Sequence, residues 1–290
     1  MDNNQFLGEI LTYISDEYRS FEQYQKIAFE ILCEFDRVCR ENNIQYYLAY
    51  GSLLGAVRDG GQIPWDYDID VQVSIDDKIK LINVLREKLG NDFYYSYYDN
   101  TEKYPAYCLR IGKKGHHFNA LHVDVFFLIG CPDDNKEQES FFKALNKYCD
   151  LRLKKYSHQW FSFPQNKIDR LIYRALSVRS IFINNSLLDK MEKEIVSKYP
   201  YSNAVFCCSL GKDERAYLKK SYSEVLQVEI NGKEFFIPKG YSEILDKIYG
   251  SWKNYSSASS RFDEFYSMLK IVKQRDQVPF DKEDDNKCKP

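Results

Sequence analysis

Ile63-Pro64-Trp65-Asp66-Tyr67-Asp68-Ile69-Asp70-Val71-Gln72-Val73 sets three aspartates at alternate positions in one short run. In an extended chain successive side chains face opposite sides. The alternation predicts a strand from Tyr67 to Ser74 with Asp66, Asp68 and Asp70 on one face and Ile69, Val71 and Val73 on the other. Carboxylates this close repel, and their joint ionisation is disfavoured unless a cation sits between them. The simplest compensation is a divalent ion with oxygen ligands, Mg²⁺ or in its place Mn²⁺, which polarises a phosphate.

Upstream, Ile27, Ile31, Phe35 and Val38 recur at three- and four-residue steps, which predicts an amphipathic helix from Phe21 to the Asn42-Asn43 pair. A Tyr-rich strand over Ile44 to Ala49 follows, then Gly51-Ser52 and a short helix through Leu53, Leu54, Ala56 and Val57, broken at Asp59-Gly60-Gly61. Downstream come a helix over Asp76 to Leu89, strands at Phe93 to Tyr98 and Tyr107 to Ile111, and a basic, His-containing loop from Gly112 to Asn119. Leu121 to Ile129 is the most apolar strand candidate, interrupted by Asp124. Beyond Pro132 the pattern turns helical, at Gln138 to Leu153, Lys167 to Ser177 and Leu187 to Tyr199. Two strands around Asn231-Gly232 read as a tight hairpin. Helices over Tyr241 to Ile248 and Phe262 to Val272 close the pattern. The fold class is α/β (α+β): a mixed-sheet core over 1–132, a mainly helical portion with a late hairpin over 133–277, and a tail over 278–290 expected to be disordered.

A formal net charge of −2 argues against a non-specific nucleic-acid binder, which needs a basic face. No run approaches the roughly 20 apolar residues of a membrane span, and Met1 to Ile10 has neither the positive start nor the apolar core of a signal peptide. The eight cysteines include no CxxC pair and read as reduced thiols of a cytoplasmic protein. The Cys207-Cys208 doublet alone does not make a tetrahedral zinc site. The 24 Tyr and 19 Phe divide between core filling and stacking on sugars.

Gly51-Ser52 followed by Asp-x-Asp resembles the nucleotidyltransferase superfamily, in which a glycine-serine turn at a helix N-terminus holds a phosphate. Two strand carboxylates there hold the metal and a third comes from a later strand, the place that Asp124 fits. The wider stretch, Tyr47-Leu48-Ala49-Tyr50-Gly51-Ser52-Leu53-Leu54-Gly55-Ala56-Val57-Arg58 and then Ile63 to Val71, closely resembles the LicD family. Its members are phosphocholine transferases of bacterial surface glycans, with the fukutin-related ribitol-phosphate transferases as relatives. Tyr67 and the segment Leu121-His122-Val123-Asp124-Val125 look more like the fukutin-related branch. Ile237-Pro238 through Tyr249-Gly250-Ser251-Trp252 is similar to the family's closing motif.

The resemblance implies transfer of a phospho-alcohol, choline or a polyol such as ribitol, from a CDP-activated donor to a hydroxyl of a glycan or lipid-linked glycan, releasing CMP. It assigns Asp68 and Asp70 as metal ligands, Asp124 as shared ligand or base, and Gly51, Ser52 and Arg58 to the donor phosphates. Lipopolysaccharide, teichoic acid or capsule would be the acceptor, reached from the inner face of the membrane, and peripheral docking and oligomeric state stay open. Four further candidates divide between site and scaffold. Asp66 is a metal-site residue or a turn cap, Trp65 a packing residue or a ligand platform, and His122 a polar neighbour of Asp124 or a catalytic aid. Arg110, in the stretch read as a strand from Tyr107 to Ile111, is a further candidate, and Arg58 too is a phosphate ligand or half of an ion pair. Lys113, Lys114, His116 and His117 form a solvated loop or a flap. Two rival functions are nucleotidyl transfer with release of pyrophosphate, and an inactive scaffold of glycan assembly.

Overall fold

The computed structural model describes residues 3–102, 104, 106–116, 121–156, 178, 182–255 and 257–276. The helix expected at Lys167 to Ser177, His117 and the tail over 278–290 lie outside them. The chain begins with a long helix, α1 (Asn3–Glu41). Ala28, Ile31, Leu32, Phe35, Val38 and Cys39 line its buried face at the expected steps. It stops where Asn43 takes a left-handed φ of 52°, a conformation that asparagine tolerates better than most residues.

Then follow β1 (Tyr46–Leu48), α2 (Tyr50–Arg58), β2 (Ile69–Ser74), α3 (Lys78–Lys88), β3 (Phe93–Ser96), β4 (Leu109–Lys113) and β5 (Val123–Cys131). The strands form a mixed sheet in the order β1-β2-β5-β4-β3, with β2 parallel to β5 and the other pairs antiparallel. β5 runs through the centre, which is why it reads as nearly unbroken apolar sequence. One edge of β5 carries β2; the other carries β4 over its first residues and β6 (Phe206–Ser209) over its last.

Two expectations need correction here. The acidic run is a strand only from Ile69 onward, so Asp66 and Asp68 lie on the loop that enters β2. The portion after 133 also supplies β6 and β7 (Tyr217–Leu218), and both join the main sheet across the expected boundary.

The helices α4 (Asn135–Tyr156) and α5 (Asn185–Lys198) fasten to the sheet side through a buried polar knot. Glu192 accepts hydrogen bonds from Lys78 Nζ (2.6 Å), Tyr98 (3.3 Å) and Tyr148, and Arg152 lies 3.8 Å away. Burial alone would push the Glu192 carboxyl up, but Lys78 and these donors hold it low. Glu192→Gln should therefore destabilise the protein by about 1.5–3 kcal/mol, the range for hydrogen bonds to charged groups. Urea unfolding measures it, and an unchanged midpoint would contradict the knot.

The hairpin β8 (Val225–Ile230) and β9 (Lys233–Pro238) turns at Asn231 (φ 51°) and Gly232 (φ 77°), as Asn-Gly predicts. Its aromatic residues meet α1 and β1, Phe235 on Phe29 and Phe236 on Tyr46. Next, α6 (Tyr241–Tyr249) ends at Gly250 with a positive φ of 64°, and α7 (Ala258–Asp276) completes the described chain. Among the described residues no helix is long and apolar enough to cross a membrane.

Candidate active site

Strand register assembles the centre of the site. Asp70 on β2 lies directly opposite Asp124 on β5, and Arg110 on β4 lies opposite Asp124 from the other side. Directly opposed residues share a face, so the three form a row across three adjacent strands. Arg110 Nε donates to Asp124 Oδ1 at 2.8 Å, and His122 Nε2 is 3.5 Å from the same oxygen.

The loop before β2 is held from several sides. Gln25 of α1 donates to the carbonyls of Ile63 (2.9 Å) and Asp66 (2.6 Å), and the Asp66 amide donates to Ile63 (2.9 Å). Tyr67 is buried with Phe21 and Leu269, on α1 and α7. Ser52, in the first turn of α2, accepts the Asp70 amide at 2.8 Å through its hydroxyl oxygen. Its own hydroxyl proton can still donate. Gly51 touches the run from the same turn, because a Cβ there would collide with the Asp66 carboxylate. Gly-Ser and the acidic run, read separately along the chain, are thus one mechanical unit. Gly51→Ala should displace that carboxylate and lower turnover on the order of 10²-fold, the effect of a misplacement near 1 Å. Rate assays with a parallel thermal melt measure it, and full activity would show that Asp66 can move freely.

Electrostatics separate the carboxylates. Burial and Asp68, with which it shares a hydrogen bond, push Asp66 well above the ordinary carboxylate range. Burial, Asp68 and Asp124 push Asp70 up in the same way. Asp124 goes the other way: burial opposes its charge, yet Arg110 and His122 hold it well below the usual range. Burial and then Arg110 lower His122, keeping its ring neutral. Among the described residues its Nδ1 is buried without a hydrogen-bond partner, which fits a tautomer whose Nε2–H faces Asp124.

Among the described residues no three His, Cys, Asp or Glu side chains stand where they could together hold a metal ion. Asp124 is engaged by Arg110 instead. Asp68 and Asp70 remain, and the opposition of Asp70 to its neighbours' charge is what a cation would relieve. Two carboxylates fit Mg²⁺, which commonly takes its other ligands from water and substrate phosphates.

The other sequence candidates fall as follows. Arg58 forms a two-pronged pair with Asp59 (2.9 and 2.8 Å) and faces the Tyr255 ring at 4.5 Å. Trp65 packs on the core edge with Arg261 over its ring at 5.6 Å. Lys113, on β4, pairs with Glu30. Cys207 and Cys208 are buried free thiols on β6, with Cys131 hydrogen-bonded to Cys208. Sequence reading did not place Gln25, Tyr249 or Glu264 at the site. Asp66 and Asp70 help to raise the Tyr249 hydroxyl, after burial, and Glu264 helps to raise Asp66. These residues lie far from the acidic run in sequence; Tyr249 falls within the closing motif, whereas nothing local marks Gln25 or Glu264.

Residues 43–183 match the family described as LicD/FKTN/FKRP, nucleotidyltransferase domain. The chain is similar to the lipopolysaccharide cholinephosphotransferase LicD of Haemophilus influenzae, at 25% identity over 249 residues, 80% of this chain and 91% of that protein. It is also similar to an uncharacterised protein of Rickettsia prowazekii, at 34% identity over 88 residues, 28% of this chain and 33% of that one. A shorter stretch of 34 residues is 53% identical to the human ribitol 5-phosphate transferase FKRP, covering 12% of this chain and 7% of that protein.

Proposed function

From a chain that carries a LicD-family nucleotidyltransferase domain, we propose a transferase that moves a phospho-alcohol from a CDP-activated donor to a glycan hydroxyl and releases CMP. The observation that carries this reading is the row Asp70, Asp124, Arg110, with Ser52 fastened to the Asp70 amide. The acceptor oxygen would attack the phosphorus that bears the alcohol, and the bond from that phosphorus to the bridging oxygen would break, with CMP leaving on that oxygen. Such transfers are mostly positioning and charge neutralisation. Mg²⁺ held by Asp68 and Asp70 would neutralise the phosphate oxygens.

The protein's own groups have distinct parts in this reading. The first turn of α2, whose N-cap Ala49 makes no side-chain cap hydrogen bond, offers backbone N–H groups and the Ser52 hydroxyl to a phosphate. Asp124, depressed by Arg110, is a weak base and suits the organisation of charge. The acceptor's proton is better received by Asp66, a carboxylate that its surroundings make more basic and that this reading leaves off the metal. His122 and Arg110 hold Asp124 in place.

The test is a donor panel of CDP-choline, CDP-ribitol, CDP-glycerol and CDP-ethanolamine with Mg²⁺ and a lipopolysaccharide or polyol-bearing glycan acceptor. CMP released in step with glycan labelling is expected for one donor. Pyrophosphate released from CTP instead would establish nucleotidyl transfer, and no CDP binding at all would leave the scaffold reading.

A further inference from the structure

The C-terminal helix α7 packs against the loop that carries the acidic run. Phe265 meets Phe21 edge-on at 5.2 Å, Leu269 is buried with Phe21 and Tyr67, and Glu264 is near enough to influence Asp66. One turn earlier on the same helix, the Arg261 guanidinium lies 5.6 Å from the Trp65 ring centre and 5.4 Å from that of Tyr255. Tyr255 is itself anchored by its hydroxyl, which donates to Asp59 Oδ1 at 2.6 Å, and by Arg58 over its ring. Arg58 is committed to Asp59 and Arg110 to Asp124. Arg261 differs: its Nε is buried and has no hydrogen-bond partner among the described residues. Aromatic faces fix the plane of such a group and leave its edge donors for a planar or tetrahedral anion.

We propose that Arg261 is a donor-phosphate ligand, delivered by the C-terminal helix to the edge of the acidic centre beside Trp65. This deepens the function proposed above and rests on it. The chemical class of ligand is a nucleoside diphosphate. Its phosphates must approach Asp66, Asp68, Asp70 and Asp124 and so need positive charge in addition to a metal. The site is completed by a helix outside the stretch, residues 43–183, that matches the family model. Arg261 is then the residue through which the C-terminal segment reads the donor's charge.

Calorimetric titration of the full chain with CDP and with cytidine, with and without Mg²⁺, tests this in the wild type, Arg261→Gln and Arg261→Lys. Arg261→Gln should weaken CDP on the order of ten- to hundredfold while leaving cytidine unchanged, and Arg261→Lys should fall between. Equal CDP affinity in wild type and Arg261→Gln, or equal losses for CDP and cytidine, would overturn the inference and leave Arg261 as a fastener of the helix. Should the glutamine variant fail to fold, wild-type CDP affinity in Arg261→Lys overturns the guanidinium assignment. A wild type that binds cytidine but not CDP, or neither, overturns the proposed function together with the inference. A wild type that binds CDP separates the two.

Discussion

Asp70→Asn is expected to lower turnover on the order of 10³-fold or more while leaving the fold intact. The side chain faces Asp124 across β2 and β5, and burial together with Asp68 and Asp124 already works against its charge. A neutral amide of the same shape removes that opposition, so the melting temperature should hold or rise. The hydrogen bond that ties β2 to α2 runs from the Asp70 backbone amide to Ser52, and the substitution leaves it in place. Loss of rate with an unchanged or raised melting point is therefore the expected pair of results. Turnover near wild type at saturating donor and Mg²⁺ would remove Asp70 from the catalytic centre. A collapse of the fold would show instead that the carboxylate is structural.

Arg110→Ala should have the largest effect on stability. It strips the guanidinium from Asp124, whose side chain is 11% exposed and whose other neighbour, His122, is held neutral. Breaking a buried ion pair by removing one partner costs about 3–5 kcal/mol, because the remaining charge is left without compensation. The double variant Arg110→Ala with Asp124→Asn should recover much of that loss, since the orphaned charge is gone too. Urea unfolding of the three variants closes the cycle. If the double variant is as unstable as the sum of the singles, the pair is not coupled, and Asp124 must be held by something else.

Much of the architecture is legible along the chain. The three- and four-residue spacing of Ile31, Phe35 and Val38 marks α1, and Asn231-Gly232 marks the hairpin, because both signals act between near neighbours. The apolar run around Asp124 correctly announces a strand, and the structure shows it buried along nearly its whole length. The acidic run was only half legible. Alternation holds for Ile69 to Ser74, whereas Pro64 and the two Gln25 hydrogen bonds keep Asp66 and Asp68 on a loop. Gln25 is 38 residues away from the first of these acceptors, and no periodicity reports such a contact.

The sequence by itself determined the chemistry on offer: alternating carboxylates, a Gly-Ser turn at a helix start, and a lone Asp in an apolar strand. These are properties of residue type and short-range spacing, and short-range spacing decides helix and strand before any packing occurs. Only the tertiary structure decided how those carboxylates differ. The register of β2, β5 and β4 turned Asp124 toward Arg110 and left Asp70 against its neighbours. Likewise, only packing brought Arg261, more than a hundred residues downstream, beside Trp65. The physical reason is that charge interactions depend on distance through space and on burial, and long-range strand pairing and helix docking set both.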